Sequence, residues 1–246
     1  MRVNKKIGYL AILILCFLLL QSVSLANSLV DSWALGMEKG IGFSNYQSIT
    51  TEKTVVQLPQ AQEKDLHNVF RRLVKNCKRN KELNFTITVV RDDDPNAFAL
   101  PAGYVFINTG LLSMVKSDGE LAGILGHEIA HIDRYHAMKA LYRSVGYSMI
   151  FNLFLISHHN WGNTQEMSAL AGASLRLSQL GYSRKAELEA DRHGVEIMEK
   201  AGYNKRDILN FWERFQRQNG DSSKGLTFLS THPAIRTRIE QIKKLP

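Results

Sequence analysis

The residues in this sequence whose types and spacing could do chemistry are concentrated in Gly126-His-Glu-Ile-Ala-His131. On a helix, His127 and His131 lie four positions apart on one face, so both imidazoles can bind the same cation. Glu128 lies one step around that helix, where its carboxylate can reach an attacking water rather than the cation. Apolar neighbours such as Ile129 indicate a core helix, in which unpaired histidines would be destabilising. The motif predicts a Zn²⁺ site with Glu128 as catalytic base; the competing interpretation is two surface histidines.

A catalytic zinc ion takes three protein ligands and leaves a fourth position open, so one more ligand must come from elsewhere in the chain. Ala137 stands six residues after the second histidine, which excludes a third histidine there, and His136 is expected to point away from the metal. A second helix supplies carboxylates: Glu187 and Asp191 are four apart and share a face, whereas Glu189 projects away. One of the first two can bind zinc, and the other can hold a ligand histidine in place.

Four blocks of the sequence occur together, in this order, in one known peptidase family: Asn96–Gly110, Gly126–His131, Tyr182–Arg192, and Ser230–Pro233 with Arg236. On these blocks the sequence resembles the gluzincin peptidases. That family contains the CAAX prenyl-protein endopeptidases, the HtpX-type heat-shock proteases and exported relatives in bacterial envelopes. Ala102 departs from the pattern, because relatives often carry a glycine at that position.

The resemblance implies a zinc-dependent endopeptidase with one Zn²⁺ per chain, held by His127, His131 and Glu187. It implies that Glu128 is the catalytic base and that Asp191 assists it as a proton donor. It also implies a soluble, exported bacterial branch of the family, because this chain lacks the several membrane spans of the CAAX and HtpX branches.

One strand is a candidate for contact with substrate. The family pattern places Gly103–Ile107 near the cleft, where an exposed edge carrying Gly103, Tyr104 and Val105 could pair with an extended peptide. The competing interpretation is an ordinary strand within a core sheet.

A second candidate lies near the C-terminus. His232 precedes Pro233 and could lie near the metal, where it would either stabilise the transition state or block the open coordination position. Arg236 is a further candidate in the same segment. The competing interpretation is that His232 begins a helix and packs against Arg236.

Hydrophobic periodicity predicts a mainly helical chain. Apolar residues recur at helical spacing in six segments, 60–78, 117–141, 165–179, 183–201, 205–218 and 232–244. Alternating and β-branched residues predict strands at 84–90, 97–100 and 103–108. The apolar segment 145–156 is too short to span a membrane and predicts a core helix, a hairpin tip or a tip that touches a membrane. The predicted fold class is α+β, a mainly helical zincin-like metallopeptidase domain with one small β-sheet.

The N-terminus has the pattern of a secretory signal peptide, with three basic residues, an apolar run over 7–20 and a small residue at Ala26. The run is shorter than the roughly 20 residues that span a bilayer, which disfavours the alternative of an uncleaved anchor. We predict a signal peptide at 1–26 and a single domain at 27–246. Glycines interrupt the helical pattern over 27–58, which predicts a loose lead-in.

The charge of the chain limits the partners that it could bind, and its cysteine content limits the disulfides that it could form. Cleavage would remove three basic residues and lower the formal charge from +8 to +5. Such a mildly basic surface disfavours nucleic acid and leaves open a peripheral contact with a membrane or an envelope complex. Cys16 lies within the predicted signal, so Cys77 alone remains and no intramolecular disulfide is expected.

The residues and the resemblance together predict an exported zinc endopeptidase that hydrolyses exported or envelope proteins in protein quality control. A periplasmic location is expected if the source has two membranes. The main alternative is a chaperone-like module that binds unfolded envelope proteins with little or no cleavage; an esterase or cofactor-dependent activity at the same metal is a third. The position of Glu128 favours the enzyme, because a pure binding module has no need of a base there.

Overall fold

A computed structural model describes residues 5–146, 182–219, 232 and 235–246. The helices and strands, in chain order, are α1 Lys5–Glu52, α2 Gln60–Val74, β1 Thr86–Val90, β2 Ala97–Ala99, β3 Tyr104–Asn108, α3 Thr109–Met114, α4 Asp118–Asp133, α5 His136–Val145, α6 Arg184–Lys200, α7 Lys205–Asn219 and α8 Ile235–Lys244. The chain divides into one unit ending at Gly40 and a second beginning at Ile41. In the first unit, the described backbone is helical.

The predicted α+β fold class is confirmed, since the described chain is mostly helical and carries one three-stranded sheet. Helices α6 and α7 match the predicted segments 183–201 and 205–218 to within one residue at each end. The short helix α3 was not predicted. The helix predicted at 165–179 and nearly all of the apolar segment 145–156 lie outside the described residues.

The sheet has the strand order β1-β3-β2. Strand β3 runs parallel to β1, with Ile87 opposite Val105, and antiparallel to β2. Gly103 immediately precedes this central strand, and Tyr104 and Val105 lie within it. The prediction that this strand offers an exposed edge to a peptide is therefore wrong, because β1 and β2 pair with both of its edges. The outer strand β2 lies beside α4.

The C-terminal part of α1 packs on one face of this sheet. Tyr46 stacks on Tyr104 with ring centroids 4.8 Å apart. The buried apolar cluster at this face consists of Ile49, Val90, Phe98, Leu100 and Phe106. Each such side chain contributes roughly 1.5–3 kcal/mol when fully removed from water, so this cluster holds the C-terminal part of α1 against the sheet.

The segment 27–58 is not the loose lead-in that its glycines predicted, because α1 continues through Glu52. Single glycines within a helix cost only about 1 kcal/mol each. Gly42 lies where α1 passes close to another backbone segment: a Cβ at that position would lie 2.3 Å from the Pro101 carbonyl oxygen. That glycine therefore marks close packing rather than a helix end. The signal peptide at 1–26 stays a prediction, and no described helix is both long and apolar enough to cross a membrane.

The single helix predicted over 117–141 is two helices, α4 and α5, separated at Tyr135. The Ser117 hydroxyl oxygen caps α4 by accepting the Glu120 N–H at 3.2 Å. Tyr135 ends the run of α4 with a left-handed backbone, φ 56° and ψ 30°. Glycine, asparagine and aspartate adopt that conformation most readily, so a tyrosine gives no local signal of a break.

Candidate metal centre

Helices α4 and α6 touch at Gly126 and Gly194. A Cβ on Gly194 would lie 2.9 Å from the backbone nitrogen of His127, and a Cβ on Gly126 would lie 3.0 Å from the Gly194 carbonyl oxygen. Glycine at both positions therefore allows the two backbones to approach closely. Ser183 fixes the start of α6 by accepting a backbone N–H from the first turn at 3.3 Å. Glu187, in that first turn, is thereby carried to the two histidines of α4.

We call His127, His131, Glu187 and His232 the metal cluster, because one ligand atom from each lies within 4.8 Å of the others. The Nε2 atoms of His127 and His131 are 3.0 Å apart. The Glu187 carboxylate oxygens lie 3.5 Å from the first of these nitrogens and 3.4 Å from the second. Two ligands of one tetrahedral zinc ion, at Zn–N distances of roughly 2.0–2.1 Å, lie about 3.3 Å apart. The three predicted ligands therefore have the spacing that a single ion requires.

His232 lies at the metal cluster, close to where sequence reasoning placed it. Its Nδ1 atom is 3.3 Å from His127 Nε2 and 3.3 Å from both Glu187 oxygens. Its Nε2 atom is 3.6 Å from Glu128 Oε1. The ring is buried, and it adds a fourth donor to a set of three.

Glu128 is 1% exposed, and neither of its carboxylate oxygens has a hydrogen-bond partner among the described residues. Burial raises the pKa of this carboxyl, which moves it toward the neutral range in which a general base is effective. A buried carboxylate without a hydrogen bond destabilises a fold, so its presence beside the metal cluster indicates a functional role rather than a structural one.

Asp191 contacts His127 from the side opposite the metal cluster. Its Oδ1 atom lies 3.0 Å from His127 Nδ1. The Arg238 guanidinium donates to both Asp191 oxygens, from Nε at 2.8 Å and from Nη2 at 2.7 Å. Asp191 is therefore placed to orient a ligand histidine, which is one of the two roles that the sequence left open. This geometry does not support the proton-donor role that the resemblance implied.

The cluster attracts positive charge. Burial and Arg238 each lower the pKa of His127, but the carboxylates of Asp191 and Glu187 outweigh them and raise it. Burial alone would raise the pKa of Glu187, but His232 and Arg238 outweigh it and hold that pKa well below its usual range. Glu187 is consequently ionised, and a metal ion would displace a proton from His127.

Arg238 is the residue at this site that sequence reasoning missed, and Arg236 is the one that it named instead. Arg236 is exposed on α8, whereas Arg238 is 1% exposed and lies over the Trp212 ring at 5.1 Å. The signal that could have found it is helical phase. Arg238 shares a face with the apolar Ile235, Ile239 and Ile242, and Arg236 does not.

His131 is held from behind by two rings. Tyr182 stacks on it with ring centroids 4.0 Å apart and an interplanar angle of 22°. His136 faces it with the two Nδ1 atoms 3.0 Å apart. Burial lowers the pKa of His136 to about 4, so this ring is neutral. His136 lies outside the metal cluster, in agreement with the prediction that it points away from the metal, and the break at Tyr135 brings its ring behind His131.

A second buried polar cluster joins the same two helices. We call it the Asp133 cluster: Asp133 at the end of α4 accepts hydrogen bonds from Cys77 Sγ at 2.8 Å and from His193 Nε2 at 2.7 Å. It also accepts the backbone N–H groups of Lys78 and Arg79, both at 3.0 Å. Burial, followed by the contact with Asp133, raises the pKa of the Cys77 thiol. Cys77 is therefore a hydrogen-bond donor inside the fold and lies apart from the metal cluster.

The residues present fit a zinc ion. Asp191 Oδ1 lies 3.0 Å from His127 Nδ1, which turns the Nε2 atom of that ring toward the metal cluster. That Nε2 atom faces the Nε2 atom of His131 at 3.0 Å, beside an ionised carboxylate. A bound zinc ion would take the place of the proton on His127, and two imidazoles with one carboxylate are a common donor set for catalytic zinc.

Comparison with known proteins agrees with this geometry. The model of Peptidase family M48 matches residues 60–246, about three quarters of the chain. The chain belongs to peptidase family M48. The gluzincin-type assignment made from the sequence blocks is thereby confirmed at the level of the family. Metallopeptidases of family M48 are zinc-dependent, so the cofactor of this M48 site is Zn²⁺, and His127, His131 and Glu187 are the residues that would hold it.

Several relatives of this chain in family M48 have names that describe an activity. The mitochondrial metalloendopeptidase OMA1 of Schizosaccharomyces pombe is 31% identical over 226 residues, which are 86% of this chain and 61% of that protein. The mitochondrial metalloendopeptidase OMA1 of Bos taurus is 35% identical over 173 residues, 67% of this chain and 33% of that protein. The putative beta-barrel assembly-enhancing protease of Vibrio cholerae is 31% identical over 180 residues, 71% and 37% respectively. This M48 chain spans less than two thirds of the length of each.

Proposed function

We propose that this chain is a zinc-dependent endopeptidase in which Glu128 is the general base. One observation carries the proposal: a buried carboxylate without a hydrogen-bond partner among the described residues lies next to a three-ligand metal set. A structural zinc site has no need of such a group, because four closed ligands complete its coordination. Membership in family M48 supports the same reaction.

The protein's own residues have separate tasks in this proposal. Glu128 takes a proton from the attacking water and passes it to the leaving amine. Asp191, held by Arg238, keeps His127 in the tautomer whose Nε2 atom faces the metal position. When bound, a zinc ion polarises the scissile carbonyl and lowers the pKa of water toward about 7.

We propose further that the substrates are exported or envelope polypeptides and that the role is protein quality control. The name of the Vibrio cholerae relative, a putative beta-barrel assembly-enhancing protease, supports an envelope setting. The predicted signal peptide at 1–26 supports export, with a periplasmic location in a cell that has two membranes. In this reading the chain belongs to an exported branch of the gluzincin peptidases.

His232 is proposed to occupy the fourth coordination position in the conformation described here. Its Nδ1 atom lies 3.3 Å from His127 Nε2 and 3.3 Å from Glu187 Oε1, which is the spacing expected of a fourth donor. Peptide hydrolysis would then require His232 to withdraw, because the substrate carbonyl and the water need that position. The same observation keeps the binding alternative in view, since a closed coordination set leaves a protein that can bind unfolded chains without cutting them.

The test compares wild-type protein with Glu128→Gln and Glu187→Gln, measuring zinc per chain and cleavage of fluorescently labelled casein. Glu128→Gln should keep about one zinc and lose at least about 100-fold in cleavage rate, because general base catalysis contributes roughly 10²–10⁴-fold. Glu187→Gln should lose most of its zinc. Loss of zinc in Glu128→Gln would make Glu128 a ligand, and full zinc in Glu187→Gln would place the third ligand elsewhere. Wild-type protein without zinc would sink the proposal.

His232→Ala adds a third arm to the same assay. A faster rate would support the blocking role, a slower rate with full zinc would support transition-state stabilisation, and an unchanged rate would remove His232 from the mechanism. The binding alternative is favoured if Glu128→Gln, without cleavage activity, still restores envelope function in cells that lack the wild-type protein.

A further inference from the structure

The metal ligand His131 has an outer partner that the peptidase reaction does not by itself require. If His131 binds the metal through Nε2, the atom that faces His127 and Glu187, its one ring hydrogen is on Nδ1. His131 Nδ1 lies 3.0 Å from His136 Nδ1. Two nitrogens at this distance can form a hydrogen bond only if one donates and the other accepts. His131 is therefore the donor and His136 the acceptor.

That assignment fixes the other side of His136. With a lone pair on Nδ1, the hydrogen of this neutral ring is on Nε2. His136 Nε2 faces Glu189 Oε2 at 3.5 Å, a separation typical of electrostatic attraction rather than of a well-formed hydrogen bond. The other oxygen of Glu189 lies 3.5 Å from Arg134 Nε. A carboxylate held at this place favours the tautomer that His131 needs.

This arrangement requires a strained backbone conformation at Tyr135. In an unbroken helix, residue 136 would lie about 140° around the axis from residue 131 and could not reach its ring. The left-handed backbone of Tyr135 ends α4 and begins α5 at His136. Such a conformation costs a non-glycine residue of order 1–3 kcal/mol. The Arg79 guanidinium, 3.9 Å above the Tyr135 ring, helps to hold it.

We propose that His136 and Glu189 are a positioning pair that orients the metal ligand His131. Asp191 orients His127 directly, whereas Glu189 acts on His131 through the intervening His136. The proposal rests on the assignment of His131 as a zinc ligand in the proposed function. Neither residue touches the metal position or the reacting atoms.

The experiment measures the dissociation constant for Zn²⁺ by chelator competition and the absorption spectrum with Co²⁺ in its place. His136→Leu removes the acceptor, and zinc affinity should fall about 10–100-fold, as when other outer partners of metal ligands are removed. His136→Asn offers an amide oxygen near the Nδ1 position and should recover most of that loss. Glu189→Gln should weaken zinc binding several-fold and shift the Co²⁺ bands.

Glu196→Gln is the matched control. Glu196 is also a partly exposed carboxylate of α6 that faces a buried histidine, with 3.2 Å to His193 Nδ1, but His193 belongs to the Asp133 cluster. Glu196→Gln should leave zinc affinity and the Co²⁺ spectrum unchanged. An equal effect of Glu189→Gln and Glu196→Gln, or wild-type affinity in His136→Leu, would overturn the pair. If His136→Leu does not fold, Glu189→Gln against Glu196→Gln decides. Wild-type protein without zinc would instead defeat the proposed function.

Discussion

The metal cluster and the Asp133 cluster are both buried, both polar and both built across α4 and α6, yet they are completed in different ways. Asp133 receives four hydrogen bonds, from a thiol, an imidazole and two backbone N–H groups. The metal cluster brings imidazole nitrogens and a carboxylate within 3.0–3.5 Å of one another, and Glu128 beside it has no hydrogen-bond partner among the described residues. The Asp133 cluster is completed by protein donors alone, whereas the metal cluster has the donor set and the spacing of a metal site.

This difference separates stability from function within one helix pair. A buried network whose donors and acceptors match makes the fold more rigid, whereas a buried network with unmatched acceptors weakens the fold until a ligand binds. Removing a residue from the Asp133 cluster should therefore lower the stability of the metal-free protein. Removing a residue from the metal cluster should mainly change the stabilisation that zinc binding provides.

The largest expected effect is that of Asp133→Ala. It leaves the Cys77 thiol, two backbone N–H groups and the His193 imidazole without their acceptor, and removing one member of a buried charged network costs about 3–5 kcal/mol. The measurement is the free energy of unfolding of the metal-free protein in urea. Asp118→Ala is the control, because Asp118 is an exposed carboxylate at the start of the same helix. Equal losses in the two variants would contradict the structural role of the Asp133 cluster.

The next effect is that of zinc itself. A ligand that binds only the folded state stabilises it by about 2.7 kcal/mol when its free concentration is 100 times its dissociation constant. Wild-type protein should gain about this amount in urea unfolding, and Asp133→Asn should gain a similar amount from its lower baseline. Glu187→Gln should gain far less at the same zinc concentration. If Glu187→Gln gained as much as wild type, the carboxylate would not be a ligand.

The smallest expected effect is a loss of stability at low pH. Burial alone would raise the pKa of Asp133, but hydrogen bonds from His193, Cys77 and the two N–H groups outweigh it and lower the pKa to about 2, from 3.8. A depressed carboxyl pKa stabilises the fold above the unfolded value, and the gain disappears as the pH falls through the folded value. The full gain is about 2 kcal/mol, and about 1 kcal/mol of it should be lost between pH 5 and pH 3.

Asp133→Asn isolates that loss. Other carboxylates also titrate over this range, so the quantity to compare is the difference in unfolding free energy between wild type and Asp133→Asn, both free of metal. The difference should shrink as the pH falls from 5 to 3. A difference that stays constant with pH would mean that the Asp133 carboxyl has the same pKa in the folded and unfolded states, so that the hydrogen bonds to it do not favour its ionised form.

The histidine pair of the metal cluster on α4 could be predicted from the sequence because its spacing is a local property. Two histidines at i and i+4 share a helix face whatever the rest of the fold does. The carboxylate helix was found by the same rule, and resemblance then chose Glu187 as the ligand. The fold class followed from long, strongly periodic segments, which give the clearest signal that a single sequence contains.

What could not be predicted depends on contacts between distant parts of the chain. Strand order is a property of the folded sheet, so three short strands gave no sign that β3 is central. The left-handed Tyr135 has no residue preference that would reveal it. Arg238 was passed over in favour of Arg236, because the helical phase of α8 was not used to separate a buried arginine from an exposed one.

The contact between Gly126 and Gly194 has a consequence for the choice of ion. The separation of the α4 and α6 backbones sets the distance from Glu187 to the two histidines, and therefore the ionic radius that the donor set fits. With a methyl group at either position, the helices would have to move apart, since a Cβ there would meet backbone atoms at 2.9–3.0 Å. The donors would then lie farther apart than a single zinc ion requires. The spacing of this donor set thus depends on two residues that carry no ligand atom.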